Sequence, residues 1–419
     1  MNGKQADVLV LGGGAIGLAC ALTLLEAGRS VTVLDQGRVG GGSSHGNCGT
    51  LTPSHAMPLA QPGMVATALR WLMKPDAPLR IKPGFDPALW RWLLGFAARC
   101  NLRDCLRATA AKAPLLVRSR QLIEALVRER GLDCEFDALG TLYVFRDPRG
   151  FEHLRQEVAV LAEYGIAAEA MDGAATLAYE PALKPGVAGS VLFPGDGQLR
   201  PDRYVAELAR LVRESGGTIA EGTRIDGLVR DGGRIASVAT DAGAYEARDI
   251  VYALGAWSPA FAKPLGVRIP IQPGKGYSIT YTRPERCPRI PLSLKEPSVC
   301  VTAWGSGYRL GSTMEFAGYD TRLNRTRLDA LRRGAAEFLH EPEGESVVEE
   351  WYGWRPMTPD DLPLLGRVPE VSNVVMATGH GMLGISLSAV TARIVGDVVT
   401  GAPPSFDLAP FSPARFGRA

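Results

Sequence analysis

Three glycines, Gly12, Gly14 and Gly17, followed eighteen residues later by Asp35, have the types and spacing of a dinucleotide site. Gly12 permits a tight turn, Gly14 lets backbone approach a pyrophosphate, and Gly17 lets a helix lie close to a strand. Ala15 and Ile16 open that helix, whose free N–H groups and positive end would face the phosphates. Asp35, with Gln36 beside it, is placed to accept hydrogen bonds from an adenosine ribose, and a carboxylate there disfavours a 2′-phosphate. The motif alone does not separate FAD from NAD, and a glycine turn kept only for packing is the bland alternative.

The elements that must hold these residues are legible. Residues 6–11 read as a buried strand, Leu18, Ala21, Leu22 and Leu25 keep helical spacing as far as Gly28, and residues 30–34 read as a second strand. This is a βαβ unit. The small-residue run 40–49 follows at once, and its Ser43, Ser44, Asn47 and Gly49 could line a further stretch of dinucleotide; a flexible surface loop is the alternative. Residues 249–258 form a short strand ending in a glycine turn with Gly255 and Trp257. Residues 373–384 repeat the plan with Gly379, His380, Gly381 and Gly384, before an apolar helix expected over 385–399 with its amino terminus towards the nucleotide.

With Pro273-Gly274-Lys275-Gly276-Tyr277-Ser278 and Gly353-Trp354-Arg355-Pro356-Met357-Thr358-Pro359-Asp360, these pieces resemble the D-amino-acid oxidase superfamily of FAD-dependent amine oxidoreductases. The bacterial D-amino-acid dehydrogenase branch is most similar, over nearly the whole chain. The resemblance implies an α/β fold in which a Rossmann-like FAD-binding domain carries an inserted mixed α+β substrate domain, the glutathione-reductase-2 type. It implies hydride transfer from Cα of a D-amino acid to flavin N5, giving an imino acid, with electrons passed to a quinone or other respiratory acceptor. Arg355, standing in the family's G-x-R-P motif, would bind the substrate carboxylate through its planar fork; Lys275 and Tyr277 are the other catalytic candidates. No dedicated base is required, because a neutral amine can lose hydride directly. The final helix would offer its positive end to a reduced flavin. Relatives that attach flavin through histidine place it three residues before the loop glycine; His45 stands four before Gly49, so noncovalent FAD is expected. The loop around Ser43 to Asn47 and a tryptophan-rich insert depart from the D-alanine type and point to a cyclic substrate, D-proline or cis-4-hydroxy-D-proline. A glycine- or sarcosine-type oxidase using oxygen and a non-catalytic flavoprotein assembly factor remain the alternatives.

The expected division is discontinuous: 1–55, 199–262 and 346–419 on the FAD side, with 56–198 and 263–345 as substrate domain. Residues 201–216 read as an amphipathic helix, 223–246 as a hairpin-rich meander, 115–130 as a helix, and 141–145 and 277–281 as strands. With 419 residues, 46% hydrophobic and 21% charged, the chain can bury a real core. Forty-six Lys and Arg against 44 Asp and Glu leave +2, too little for a nucleic-acid binder or a tRNA-modifying enzyme. Seven cysteines without a C-x-x-C pair argue against a disulfide framework and a four-thiolate metal site. Residues 8–11 run straight into glycines rather than into a signal-peptide pattern, and no run suits a membrane span, so a cytoplasmic protein is expected. The segment around Trp71, Leu72, Met73, Trp90, Trp92, Leu93, Leu94 and Phe96, with Lys74, Arg80, Lys82 and Arg91, has two readings. It is either ordinary core helix or a face touching the inner surface of the cytoplasmic membrane.

Overall fold

The computed structural model describes residues 4–73 and 77–418, so Lys74 of the tryptophan-rich segment lies outside the described residues. The continuous buried run 8–11 within Lys4–Leu11 and the largely buried Ala15–Glu26 build the first strand and helix, and Val31–Leu34 completes the βαβ unit. Lys4–Leu11 pairs in parallel with both Val31–Leu34 and Gly243–Tyr252. The expected meander is present as Ile225–Asp231, Arg234–Thr240 and Gly243–Tyr252, paired antiparallel. The last of these is longer than anticipated and continues as the parallel neighbour of Val374–Thr378. Tyr204, Leu208, Leu211 and Val212 of Pro201–Glu214 pack with Leu18, Leu22, Val390 and Ile394 in one core behind this eight-stranded sheet.

A second, nine-stranded sheet faces the first. Its strand order begins Val347–Met357, Gln272–Tyr281, Gly307–Phe316 and Val299–Trp304. Val347–Met357, which the sequence placed in the nucleotide-side block, pairs along its length with Gln272–Tyr281 and so belongs to this sheet. This pairing puts the Arg355 motif on the second sheet, across the cavity from the nucleotide turn rather than beside it.

The helix expected over 115–130 starts earlier, at Leu102, where Asn101 caps it by accepting from the Asp104 N–H, and it carries Pro114 inside. Its buried Lys112 reaches Asp361 at 2.7 Å, and Trp92 Nε1 donates to the Met357 carbonyl at 2.8 Å. Both contacts pin the chain on either side of the turn that follows Arg355.

Candidate active site

A cavity of about 880 Å³ runs between the two sheets, a size suited to a dinucleotide with a small partner. Gly12, Gly14, Ala15, Ile16, Asp35, Gln36, Ser43, Ser44, Asn47, Gly49, Gly255, Trp257, Tyr277, Arg355, His380, Gly381 and Gly384 line it; Gly17, Lys275 and Gly379 do not. The glycines divide the work physically. Gly12 sits at φ +105°, and a Cβ there would lie 2.5 Å from the Ala253 carbonyl oxygen. A Cβ on Gly17 would collide with the Gly12 carbonyl, so this residue serves strand–helix packing. Gly14 has ordinary extended backbone and only Ser44 Oγ within reach, at 3.4 Å, so its bare side faces open cavity. These features fit a bound dinucleotide: a turn closed by sterics, and one glycine whose missing side chain leaves room for a ligand rather than for protein.

The polar loop is braced by its own bonds. Ala15 N donates to Ser44 Oγ at 3.1 Å, Asn47 Nδ2 to the Ser44 carbonyl at 3.1 Å, and Gly49 N to Asn47 Oδ1 at 2.8 Å. Ser43 Oγ donates to the Trp354 carbonyl, tying the loop to the second sheet. Ser43 and Asn47 therefore shape the wall with side chains already committed to protein. Asp35 likewise accepts from Gly13 N and Gly37 N, each at 2.8 Å, and so holds the glycine turn. His45 Nε2 lies 2.8 Å from Glu349, whose carboxylate raises the imidazole pKa.

At the carboxyl end the helix begins at Ser388 rather than Ile385, and the cavity is lined by Gly381, Met382, Gly384 and Ile385 but by no residue of that helix. The turn, not a helix dipole at contact distance, forms this wall. His380 is 3.0 Å from Thr391 Oγ1, and burial pushes its pKa down to about 3, so the ring is neutral.

Arg355 is the one sequence-predicted catalytic candidate whose side chain faces the cavity. Its Nη1 donates to the Thr313 carbonyl at 2.7 Å, and it makes no ion pair with a carboxylate among the described residues. Burial draws its pKa down, while the Cys48 and Cys300 thiols oppose that shift; a guanidinium stays charged regardless. The accepting carbonyl belongs to a bulge in which Ser312 and Thr313 both take left-handed φ, +125° and +56°. Such strain in non-glycine residues persists where structure over-determines it.

The side chains of Lys275 and Tyr277, expected to be catalytic, turn away from the cavity. Strand residues alternate faces, and the Gly276 between them faces Arg355: a Cβ on it would strike the guanidinium. Lys275 and Tyr277 point the other way. Lys275 Nζ donates to the Arg322 carbonyl and lies 4.5 Å over the Tyr352 ring, while the Tyr277 hydroxyl donates to Glu315 within an apolar core. Their side chains support the sheet from behind.

The sequence missed the floor of the site. A Cβ on Gly311 would meet Cys48 Sγ at 2.5 Å, and one on Gly353 would strike Trp351 and Ser43. With Gly276, these residues leave three neighbouring strands bare where the loop and ligand approach. It also missed His55, a cavity residue whose pKa burial pushes down to about 3. His55 packs 5.9 Å from Tyr143, whose hydroxyl is 3.0 Å from Ser54 Oγ, which in turn donates to fully buried Asp196 at 2.6 Å. Burial pushes the Asp196 carboxyl up to about 7, against hydrogen bonds from Ser54 that pull it down. From its ordinary value of 3.8 up to about 7 the unfolded chain would ionise while the folded one would not, so native stability falls as pH rises through this window. Asp196→Asn should therefore gain in Tm relative to the unaltered protein as pH rises from about 4 to about 7. Parallel Tm curves across that range would contradict the assignment.

Residues 7–398 match the family model described as FAD dependent oxidoreductase. The chain is 34% identical over 419 residues to a D-amino acid dehydrogenase of Xanthobacter autotrophicus, covering 98% of this chain and 99% of that one. It is 35% identical over 421 residues to one of Agrobacterium fabrum, with the same coverage. Among solved structures, glycine oxidase from Geobacillus kaustophilus superposes with a TM-score of 0.81 at 24% identity over 98% of this chain and 99% of that one. L-proline dehydrogenase from P. horikoshii gives 0.74 at 18% over 99% and 98%.

Proposed function

Because the chain belongs to the DAO family of FAD-dependent oxidoreductases, we propose that it is a D-amino-acid dehydrogenase in which Arg355 binds the substrate carboxylate. The observation that carries this reading is a cavity-facing guanidinium whose one strong partner is a carbonyl, leaving its fork free for a carboxylate. Bound FAD would supply the acceptor for the hydride leaving Cα. Arg355 fixes the acid by two parallel charge-assisted bonds and so orients Cα. The glycine floor admits the substrate against bare backbone, and neutral His55 and His380 bring no competing charge into the cavity. The dinucleotide would lie along Gly12, Gly14 and the 43–49 loop, held without a covalent bond because His45 is engaged by Glu349. In this reading the nucleotide side comprises 1–55, 199–262 and the chain after Met357, and the rest forms the substrate side.

Trp351, on the same strand face as Arg355, lines the cavity and favours a compact apolar ring, as in D-proline or cis-4-hydroxy-D-proline. A steady-state comparison tests this: D-proline and its hydroxylated form should reduce a soluble quinone analogue faster than D-alanine or any L-form, with little oxygen uptake. Preference for D-alanine would overturn the substrate class, and rapid oxygen uptake would overturn the quinone acceptor.

A route to a membrane quinone is supported by the insert. Trp92 and Leu89 are buried, yet Met73 is 78%, Phe85 90% and Leu94 71% exposed, with Leu69, Leu72 and Trp90 exposed beside them and basic Lys82 and Arg91 nearby. Exposed large apolar side chains gathered in one insert support an interaction face here. No helix among the described residues is long and apolar enough to cross a membrane. The protein should co-float with anionic phospholipid vesicles, and Leu69→Glu with Leu94→Glu should abolish flotation while leaving bound flavin unchanged. Flotation unaffected by the double change would remove this face.

A further inference from the structure

Cys300 pairs directly with Gly311 across two antiparallel strands, so their side-chain positions share one sheet face about 5 Å apart. The Cys48 thiol fills the space where a Gly311 side chain would stand. Two thiols from segments 252 residues apart therefore meet on the cavity floor, both half-buried and both lining the cavity. Cys48 belongs to the loop braced over the glycine turn, and Cys300 to the sheet that carries Arg355.

We propose that Cys48 and Cys300 form a peroxide-responsive dithiol whose oxidation clasps the 43–49 loop to the second sheet and traps the bound dinucleotide. The trapping rests on the cofactor placement proposed above; the bond itself does not. The adjoining Cys300 thiol, and after it Arg309 and Arg355, favour the Cys48 thiolate against burial, whereas Cys300 and the burial-raised Cys20, Cys100, Cys105, Cys134 and Cys287 stay thiols. The Cys48 thiolate attacks hydrogen peroxide: an S–O bond forms, the O–O bond breaks and hydroxide leaves. Cys300 sulfur then attacks that sulfenic sulfur, forming S–S and breaking S–O, and its proton leaves with the oxygen as water. Two electrons pass from the sulfurs to peroxide.

The test treats the holoprotein with hydrogen peroxide, blocks residual thiols with iodoacetamide and maps the digest by mass spectrometry. A Cys48–Cys300 cross-linked peptide, lost on dithiothreitol, should form before any other cysteine reacts. Cys300→Ser should instead leave Cys48 as a sulfenic acid trapped by dimedone. Cys48 still fully alkylated after other cysteines have oxidised would overturn the proposal, as would a dominant cross-link to a different cysteine. FAD loss during dialysis against potassium bromide should be at least about ten-fold slower from the oxidised form, the modest end of what such a cross-link contributes. Equal loss rates from a cross-linked protein would overturn the clasp. The cross-link is read whether or not FAD is present, so a colourless preparation would count against the cofactor placement alone.

Discussion

Arg355→Met is expected to lower kcat/KM for the D-amino acid by about two to four orders of magnitude, with FAD still bound. Removing one partner of a buried charge-assisted pair costs about 3–5 kcal/mol, and each 1.36 kcal/mol is a factor of about ten in rate. Methionine keeps the length and apolar packing of the side chain but offers no donor, so the substrate carboxylate would enter a half-buried pocket unpaired. Arg355→Lys should fall between, since charge is kept and the planar fork lost. The cofactor contacts proposed here lie on the opposite sheet and loop, so the flavin spectrum should be unchanged. Turnover within a factor of about two of the unaltered enzyme would remove Arg355 from substrate binding.

Gly14→Val is expected to weaken FAD binding by at least about a hundred-fold and to yield colourless protein of near-normal stability. The surroundings of Gly14 decide this outcome. Its backbone is extended at φ −78°, and an added Cβ meets only Ser44 Oγ at 3.4 Å, so the protein itself tolerates a side chain. Loss of a glycine at a helix N-cap costs about 1 kcal/mol. What the side chain would block is backbone approach to the pyrophosphate. Gly17→Ala makes the contrast, because its Cβ would strike the Gly12 carbonyl and the damage would show as a lowered Tm. Normal FAD content in a folded Gly14→Val protein would contradict the cofactor placement.

The nucleotide side was legible because its signal is local. Gly12, Gly14, Gly17 and Asp35 lie within one βαβ unit, where spacing along the chain is also spacing in space. The second sheet's share of the site was legible only in part. Gly276, Gly311 and Gly353 come from three strands that become neighbours only on sheet formation, and nothing in each glycine's own surroundings in sequence announces a shared floor. Lys275 and Tyr277 were chosen for their chemistry, yet strand alternation gives the cavity face to the glycine between them. The same long-range pairing moved residues 347–357 from one unit to the other. Cys48 was read only as part of a loop, since its partner Cys300 lies on a distant strand.

The most direct measurement is an anaerobic spectrum of the purified yellow protein on addition of D-proline, cis-4-hydroxy-D-proline or D-alanine, each beside its L-form. The oxidised-flavin absorption band should bleach with a D-form and persist with its L-form. A flavin that no D-amino acid bleaches, in a protein that retains FAD, would contradict the claim that this cavity oxidises D-amino acids.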